Sequence, residues 1–316
     1  MPEPIDLTVH SALPCQPGVI DAVPAQARYL SWTLHPGASR STLALALQAL
    51  AGQIDGQHAV LGLGAPLLAA LDRTVPGLTP FAAPAGSRVD LPVTQAALWL
   101  WLRGDDAGAL LHRARAVQAL LDQAAGAGVF ELVDSLAAFC HAAGRDLTGY
   151  EDGTENPEGN AALAAALMDE SAGAGLAGSS LVAVQRWEHD LGAFDALGQE
   201  QQDLSIGRRR SDNEEIADAP DSAHVRRTAQ EDFDPEAFVL RRSMPFIDGE
   251  RCGLVFVAFG ASLAPFNAQL RRMSGAEDGV VDALLRFSRP VSGACYWCPP
   301  VRGGQVDLSA VDIAAR

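Results

Sequence analysis

The sequence is short of cysteine, of long apolar runs and of positive charge. It has five cysteines in 316 residues, a small odd number that favours reduced thiols in a cytoplasm over a disulfide framework. It lacks an apolar stretch of about 18 residues free of charges and turn formers, so we expect no transmembrane helix. The first residues lack a basic segment followed by an apolar run, so we expect no secretory signal.

The formal net charge of −16 argues against a nucleic-acid or anionic-membrane binder, because contacts to phosphates need a basic face. Arginines are nevertheless clustered at 208–210, 226–227, 241–242 and 271–272. Such clusters could surround an anionic ligand, although solvated or ion-paired surface arginines are the simpler interpretation. The hydrophobic fraction of 48% and the charged fraction of 20% are ordinary for a globular protein, which excludes disorder throughout the chain.

Hydrophobic periodicity predicts a ferredoxin-like order of elements in the first half, after an irregular proline-rich arm over residues 1–26. The order is strand, helix, strand, strand, helix, strand, which is typical of an antiparallel sheet with helices on one face. The first strand is expected at an edge. The strands are predicted at 27–34, 58–64, 95–102 and 128–133, and the helices at 39–53 and 106–125.

The second half repeats this order less clearly. A hairpin turned at 247–250 is expected to join strands at 238–240 and 253–259. The polar segment 207–234 lacks periodicity, and loops of this length inside a compact domain are usually functional or disordered. Further strands are predicted at 180–187 and 293–297, the latter as the last strand, and helices at 190–197, 200–206, 262–273 and 278–287.

The segment 149–157 is a glycine-bracketed acidic turn near the middle of the chain. Gly149 and Gly153 let the backbone adopt positive φ, and Pro157 ends the segment, so Asp152 is held on a stiff corner. A carboxylate there could cap a helix, bind a metal or act as an acid or base. An ordinary surface turn is the alternative, because such residue pairs are common turn formers.

His224 is the histidine in an unusual setting, near the end of the long polar segment. A solvated loop histidine is the simpler interpretation. The other six histidines show no spacing, to each other or to carboxylates, that suggests a metal cage. Ligation by one histidine is then the remaining metal option, and haem is the cofactor that needs only one.

Arg241 and Arg242 follow a predicted strand and should point to opposite faces, so only one of them can enter a pocket. An arginine and a carboxylate brought together over a haem iron are what peroxide cleavage requires. The carboxylate relays a proton between the peroxide oxygens, and the fixed positive charge stabilises the anion that develops at the leaving oxygen.

Four motifs, in this order and at these separations, resemble those of the bacterial dye-decolorizing peroxidases, most closely the cytoplasmic B-type branch. The likeness extends over nearly the whole chain, from about residue 16 to residue 299. Motifs of this kind are weak singly, but the ordered set is specific. They are Gly149-x-x-Asp152-Gly153-Thr154-Glu155-Asn156-Pro157, Ile206-Gly207-Arg208, Ser222-Ala223-His224-Val225-x-Arg227 and Leu240-Arg241-Arg242-Ser243-Met244-Pro245-Phe246.

The resemblance implies a haem b peroxidase that uses hydrogen peroxide to oxidise dyes, phenols or other bulky one-electron donors through a ferryl intermediate. It implies that Asp152 is the distal aspartate, Arg241 the distal arginine and His224 the proximal iron ligand. Ser243 stands where some members have an asparagine beside the distal arginine, and we count it with the catalytic residues. Further cofactor-binding positions are Arg208, as partner of a haem propionate, Asp282, as acceptor of the His224 Nδ1 proton, and Gly153, Thr154, Glu155, Asn156 and Phe259.

The implied fold is α+β, made of two ferredoxin-like halves that each contain a four-stranded antiparallel sheet with helices, as in the dimeric α+β barrel superfamily. We expect the halves to be 1–148 and 149–316, with the C-terminal half binding the haem and carrying the Asp152 loop. The resemblance also implies a cytoplasmic homo-oligomer, a dimer or larger. The acidic net charge predicts that neither a nucleic acid nor a membrane is a partner.

Two other functions stay open. One is a protein for haem storage, haem transfer or iron removal with incidental peroxidase activity, although storage does not need the pair of Asp152 and Arg241. The other is an anion-binding ferredoxin-like module without haem, which would use the arginine clusters.

Two further groups of residues each allow two interpretations. Tyr150, Trp187 and Trp297 are candidates for carrying electrons to bulky donors at the surface, although core packing is the simpler role for each. Cys295 and Cys298 form a C-x-x-C that could be a redox pair or half of a zinc site. Because they lie three apart in a predicted strand, we expect them to face opposite sides as buried, inert thiols.

Overall fold

The computed structural model describes residues 14–314, and within this range no helix has the length and apolar character needed to cross a bilayer. The strands are β1 Gln26–Leu34, β2 Ala59–Gly64, β3 Leu98–Gly104, β4 Phe130–Phe139, β5 Ser180–His189, β6 Leu240–Arg241, β7 Met244–Asp248, β8 Arg251–Gly260, β9 Ser288–Pro290, β10 Ala294–Cys298, β11 Val301–Arg302 and β12 Gln305–Val306. The α-helices are α1 Pro17–Ile20, α2 Arg40–Ala51, α3 Ala65–Ala70, α4 Ala107–Ala125, α5 Gly159–Ala166, α6 Leu191–Ala196, α7 Gln199–Ile206, α8 His224–Thr228 and α9 Ala264–Met273. Short 3-10 turns occupy Glu170–Ala172, Gln230–Asp232, Ala283–Arg286 and Ser309–Val311.

The N-terminal half has the predicted order of elements, with the short helix α3 inserted after β2. Ser39 caps α2 and Asp106 caps α4, each accepting a hydrogen bond from a backbone amide of the first turn. The edge position expected for β1 was wrong, because β1 pairs with both β3 and β4. Tyr29 and Trp32 are buried on opposite faces of β1, which is typical of a strand inside a covered sheet. Residues 1–13 of the predicted arm lie outside the described range.

The C-terminal half is assembled around β5, which pairs with β8, β9 and β10. The strand predicted at 238–240 is reduced to β6, and β7 is the hairpin partner of β8. The helix predicted at 278–287 is reduced to a 3-10 turn, because the Asp282 side chain accepts from the Leu284 amide and starts a tight turn there. The expected last strand, β10, is followed by the small β11–β12 hairpin.

The two halves share one antiparallel sheet. Its main path is β4-β1-β3-β2-β10-β5-β8-β6, so the halves are joined where β2 pairs with β10. β7 lies beside β8, and it also contacts β4, so the sheet curves back on itself. The expected α+β fold of two ferredoxin-like halves is confirmed. The boundary at residue 149 stays a prediction.

Apolar side chains cover both faces of this curved sheet. The helices α2, α4 and α9 pack on one face. The inner face carries a row of near-parallel rings, in which Trp99 lies 5.8 Å from Tyr296 and 6.2 Å from Tyr29 between ring centroids. Cys295 and Cys298 belong to different cores, and burial raises the pKa of Cys295 to about 12. The two cysteines therefore face opposite sides of β10, as expected for inert thiols.

Candidate functional site

Two adjoining cavities open where the C-terminal half meets the segment 144–156. Their volumes, including space open to solvent, are about 870 and about 1120 Å³. Three of the predicted residues, Asp152, His224 and Arg241, line both cavities. The structure therefore brings together side chains that are far apart in the sequence. The other residues common to both cavities are Glu151, Ile206 and Thr228.

The segment that carries Asp152 folds as a tight turn. The Asp146 carboxylate accepts hydrogen bonds from the amide and the hydroxyl of Thr148, at 2.9 and 2.6 Å. Gly149 has a φ of 88°, and its amide donates to the Asp146 carbonyl at 2.8 Å. The Asp152 amide then donates to the Gly144 carbonyl at 3.0 Å. Asp152 is thus held on a stiff corner, as the glycines predicted.

The side chain of Asn156 holds the backbone of Arg241 at the end of β6. The Arg241 N–H donates to Asn156 Oδ1 at 2.7 Å, and Asn156 Nδ2 donates to the Arg241 carbonyl at 3.1 Å. The Arg241 guanidinium donates no hydrogen bond to residues 14–314, and its Nε is buried without a partner. Arg242 turns the other way and donates to the Ile20 carbonyl. Only Arg241 of this pair enters the main cavities, as predicted.

His224 is the first residue of the short helix α8, inside the polar segment where a loop was expected. Its Nδ1 lies 2.7 Å from Oδ2 of Asp282, whose side chain has no exposed surface. The other Asp282 oxygen accepts from the Leu284 amide at 2.9 Å, which fixes the carboxylate. Because Nδ1 is hydrogen-bonded to Asp282, Nε2 is the ring nitrogen that can bind a ligand in the cavity.

Arg208 lies at the polar wall of the larger cavity and is already paired. Its Nη2 lies 2.5 Å from carboxylate oxygens of both Glu155 and Glu215, and its Nη1 donates to the Asn213 carbonyl at 2.9 Å. Thr154 lines the same cavity, and its hydroxyl accepts from the Asn213 side chain at 3.1 Å. The predicted residues Arg208, Thr154 and Glu155 are therefore at the cavity. A ligand anion at Arg208 would share this guanidinium with two carboxylates.

A third cavity of about 640 Å³ adjoins the first two and shares Asp152 and Arg241 with them. The other predicted residues Gly153, Asn156 and Ser243 line this cavity and neither of the main ones. The Ser243 hydroxyl accepts from a backbone amide of β8 at 3.4 Å. Ser243 is therefore placed to support the turn between β6 and β7 next to Arg241.

Phe259 lies away from these cavities. It is fully buried in the inner core, with its ring centroid 6.3 Å from that of Trp101. Leu254 and Phe256 of the same strand line the first cavity, and alternation along β8 turns Phe259 to the opposite face. We therefore do not retain Phe259 as a cofactor contact, since Phe256 lies on the face that the cavity uses.

Sequence reasoning missed a polar group at one wall of the first cavity. His189 Nδ1 lies 2.7 Å from the Ser288 hydroxyl, and its Nε2 lies 3.0 Å from the Asp146 carboxylate. Burial acts to raise the pKa of Asp146, but hydrogen bonds from His189 and Thr148 outweigh it and hold that pKa below its usual value. Alternation along β5 puts His189 on the same face as the other cavity residues, which is the one signal that could have found it.

The remaining wall of the first cavity is apolar and was also missed. Its side chains come from alternate positions of β8, from helically spaced positions of α9 and from the 3-10 turn Ala283–Arg286. A cavity with an apolar wall, charged groups and one uncommitted imidazole nitrogen suits a flat amphipathic cofactor. It does not suit a free metal ion, because residues 14–314 contain no cluster of three or more metal-ligating side chains. The apolar wall is formed by Leu254, Phe256, Phe266, Leu270, Met273 and Leu284.

The fold and the site define an α+β protein in which a carboxylate, an arginine and an imidazole line two adjoining cavities. Residues 143–303 match the family described as Dyp-type peroxidase, C-terminal. The chain is 32% identical to a dye-decolorizing peroxidase of Rhodococcus erythropolis over 255 residues, which are 77% of this chain and 72% of that protein. This chain therefore belongs to the Dyp-type peroxidase family.

Solved structures of this family have the same fold. A dye-decolorizing protein from Vibrio cholerae superposes with a TM-score of 0.77 at 26% identity, over 89% of this chain and 96% of that one. DyPB from Rhodococcus jostii superposes with a TM-score of 0.79 at 26% identity, and the match covers 89% of this chain and 94% of that one. A DypB variant from the same organism was solved in complex with heme. It superposes with a TM-score of 0.77 at 25% identity, and the match covers 88% of this chain and 93% of that one. The family recognised in the sequence is confirmed, and the chain is a peroxidase, an oxidoreductase that acts with hydrogen peroxide.

Proposed function

We propose that this chain binds haem b in the cavities lined by Asp152, His224 and Arg241, and that it uses hydrogen peroxide there to oxidise dyes, phenols or other bulky one-electron donors. One observation carries the proposal. A carboxylate-paired imidazole lines the same cavity as Arg241, whose guanidinium donates no hydrogen bond within residues 14–314. The heme found in the Rhodococcus jostii relative supports the choice of cofactor. When bound, the haem iron would supply the centre at which peroxide is cleaved and donors are oxidised.

His224 is the proposed iron ligand through Nε2. Asp282 accepts the Nδ1 hydrogen bond at 2.7 Å without being exposed to solvent, so it fixes the tautomer and the direction of the ring. The contact also gives the imidazole more anionic character, which favours the higher oxidation states of an iron ligated by it.

The polar wall of the larger cavity is the proposed position of the haem propionates. Arg208 and Arg226 line this wall, and a guanidinium suits a carboxylate because its N–H groups match the two oxygens. Glu155 holds Arg208 in place. We propose that Thr154 lies along the edge of the cofactor, and that Gly153 allows the backbone to approach it closely, since its φ of 77° is one that glycine favours.

Asp152 and Arg241 are the proposed acid–base and charge-stabilising groups. Asp152 accepts a proton from the peroxide and returns it to the departing oxygen, which leaves as water. Arg241 keeps its charge and donates hydrogen bonds to the oxygen on which negative charge develops. Its guanidinium can do so without breaking any protein hydrogen bond, because it donates none within the described chain. Ser243 is proposed as a support for this arginine.

The two alternative functions fit the site less well. A haem-storage or haem-transfer protein has no use for a proton-accepting carboxylate beside Arg241, whose guanidinium makes no hydrogen bond within the described residues, and the family does not favour that function. An anion-binding module without haem has no use for the apolar wall of the first cavity.

The route of electrons from bulky donors stays a hypothesis. Tyr150, Trp187 and Trp297 are all buried, so none of them offers an aromatic ring at the surface. Tyr150 and Trp187 do line the first cavity, which makes them the candidates for a first electron-transfer step, whereas Trp297 lies in the core. Electron paramagnetic resonance after peroxide addition tests this hypothesis. A radical signal unchanged in Tyr150→Phe and Trp187→Phe contradicts it.

Absorption and stopped-flow spectroscopy test the main proposal. The purified protein, supplemented with haem, should show a Soret band that is lost in His224→Ala. Arg241→Leu should retain the band but react with peroxide about 100- to 1000-fold more slowly, as expected for the loss of one charge-stabilising donor. Asp152→Ala in the same assay measures the proton relay. A wild-type protein without a Soret band, or an Arg241→Leu variant with an unchanged rate, would show the proposal to be wrong.

We further propose that the protein is a cytoplasmic homo-oligomer. The cytoplasmic location is supported by its five cysteines, which are all unpaired. An oligomer is supported by exposed apolar side chains on neighbouring edge strands, Val133 on β4 and Ile247 on β7. Light scattering coupled to gel filtration tests the oligomeric state, and a monomer at micromolar concentration contradicts it.

A further inference from the structure

A separate cavity of about 880 Å³ lies on the inner face of the curved sheet. Residues from both halves of the chain line it, and within the described chain none of them lines the cavities of the proposed haem site. Trp99 and Tyr296 belong to its wall, and Asp134 and Arg186 are its charged residues. The cavity thus combines aromatic side chains with a guanidinium.

Arg186 is the residue that points to a ligand in this inner cavity. Its side chain is 23% exposed, its guanidinium donates no hydrogen bond within residues 14–314, and its Nε is buried without a partner. The carboxylate of Asp134 lies 3.6 Å from Nη1, which is longer than a hydrogen bond. A guanidinium has five N–H donors, and leaving them unused in a largely buried position is unfavourable.

Arg241 is the other described arginine that is not exposed and whose guanidinium lacks hydrogen bonds. Other partly buried arginines are well bonded. Arg208 contacts two carboxylates and a carbonyl, and Arg227 forms a bidentate pair with Asp278. Arg241 lies in a cavity suited to a ligand, so the same lack of hydrogen bonds at the Arg186 guanidinium points to a second ligand position.

We propose that the inner cavity binds one small monocyclic aromatic carboxylate. The guanidinium fork of Arg186 takes the carboxylate through two parallel hydrogen bonds. The ring lies among the side chains of Trp99, Tyr296 and Val255, where aromatic contacts and apolar burial favour a flat ligand. Ser31 adds a hydroxyl to the wall.

Asp134 does not close this cavity to an anion. Its side chain is 46% exposed, so it can turn towards solvent when Arg186 takes another partner. Burial raises the pKa of Asp134 above its usual value, although the charge of Arg186 acts against this. The carboxyl therefore takes up a proton more readily than an ordinary aspartate, which reduces its repulsion of a bound carboxylate.

The inner cavity and the proposed haem cavity lie back to back across two strands. On β5, Arg186 lines the inner cavity while Trp187 lines the other, and on β8 the same holds for Val255 and Leu254. The bound carboxylate would be separated from the peroxidase cavity by one layer of sheet. Its binding needs neither the cofactor nor peroxide, so failure of this proposal leaves the proposed function untouched.

Isothermal titration of the full-length protein with benzoate tests the proposal. Wild type should bind benzoate saturably at one site per chain. Arg186→Gln should weaken binding about tenfold or more, because a charge-assisted bidentate contact is lost. Ala294→Leu should prevent binding by filling the cavity that Ala294 lines. Arg289→Gln is the matched control, since Arg289 is exposed and pairs with Glu188 outside the cavity, and its affinity should equal that of wild type.

Two further probes decide the chemical class. Phenol and benzylamine carry the same ring without a carboxylate, and each should bind about tenfold more weakly or worse. The proposal is overturned if wild type shows no saturable benzoate binding, if phenol binds as tightly, or if folded Arg186→Gln keeps the wild-type affinity. Crystals of wild type soaked in benzoate give a readout without any variant. Density for the carboxylate at Arg186 supports the site, whereas water alone there contradicts it.

Discussion

The side-chain amide of Asn156 makes two hydrogen bonds to the backbone of Arg241, accepting from its N–H at 2.7 Å and donating to its carbonyl at 3.1 Å. Asn156 belongs to the segment that carries Asp152, and Arg241 belongs to β6, whose strand neighbour in the described chain is β8. The Asn156 amide thus makes the two backbone hydrogen bonds that a neighbouring strand would otherwise make with Arg241. One side chain therefore ties the carboxylate-bearing segment to the arginine-bearing strand.

Asn156→Ala should disturb the peroxide step without removing the cofactor. Losing two partly buried hydrogen bonds costs roughly 1–3 kcal/mol of stability. A displacement of about 1 Å between Asp152 and Arg241 can slow a reaction about 100-fold. We expect the rate constant with peroxide to fall about 10- to 100-fold while the Soret band is retained. Stopped-flow absorption measures this rate.

Asn213→Ala is the control for the Asn156 variant. Asn213 also bonds the Asp152 segment, through Glu151 and Thr154 at 3.0 and 3.1 Å, but it does not touch Arg241. Its peroxide rate should fall less than that of Asn156→Ala. Equal rates in the two variants would show that general loosening of the segment, not its tie to Arg241, is responsible.

Local patterns predicted much of the fold because they depend on near neighbours in the chain. The order of elements in the first half follows from hydrophobic periodicity, and it is present in the structure. The central position of β1 was not predictable in this way, because strand partners are set by contacts between distant segments. The 3-10 turn at Ala283–Arg286 was missed because the Asp282 side chain competes with helical hydrogen bonds.

The central residues of the site and the contact of Asp282 with His224 were predicted from the motifs, whereas other supporting contacts were not. The resemblance named Asp152, His224 and Arg241, and the structure places them in shared cavities. Phe259 lies outside the cavities because alternate positions of a strand face opposite sides, and the sequence does not fix which face of β8 meets the cavity. The bonds of His189 to Asp146 and Ser288 join residues 43 and 99 positions apart, which a single sequence does not reveal.

Asp282→Asn should alter the electronic properties of His224, the proposed iron ligand, through its Nδ1 atom. The carboxylate would be replaced by a neutral amide, so His224 would lose anionic character. We expect the iron reduction potential to become more positive and the peroxide activity to fall about 10- to 100-fold, as is usual when a partner of a metal-binding histidine is lost. Spectroelectrochemical titration measures the potential. Asp278→Asn is the matched control, because Asp278 pairs with Arg227 rather than His224, and it should leave the potential unchanged.

The five cysteines should differ in how fast they react with a thiol reagent, according to their exposure to solvent. Cys140 is exposed and Cys252 is half-buried, whereas Cys15, Cys295 and Cys298 are buried. Burial raises the pKa of Cys15 to about 11 and that of Cys295 to about 12, so few thiolates form there at pH 8. A thiol-reactive dye should therefore label one cysteine quickly, a second slowly and three after unfolding. Cys140→Ser should remove the fast phase, and more than two reactive thiols in the folded protein would contradict the assignment.

Asp146 should contribute to the loss of stability in acid. Its pKa is lower in the folded protein than its ordinary value, because hydrogen bonds from His189 and Thr148 outweigh the effect of burial. A carboxyl of this kind stabilises the fold above its unfolded pKa of about 3.9, and the contribution is lost as the pH falls through the folded pKa. Asp146→Asn should be less stable at pH 7 and lose less stability between pH 6 and pH 3. Urea unfolding at both pH values tests this, and an unchanged pH dependence would contradict it.

His189 should position the Asp152 segment through Asp146. His189→Ala removes the side chain that ties Asp146 to β5 and β9, so amide hydrogen exchange over residues 144–152 should increase in the protein without added haem. With haem, its rate with peroxide should fall while the rate of donor oxidation is unchanged. His189→Gln keeps an N–H group that can reach Asp146, so it should restore most of the protection and of the peroxide rate. A glutamine variant as impaired as the alanine one would mean that the imidazole acts by filling space and not by its hydrogen bond. A general loss of stability would instead raise exchange throughout the sheet, which separates a local anchor from a global effect.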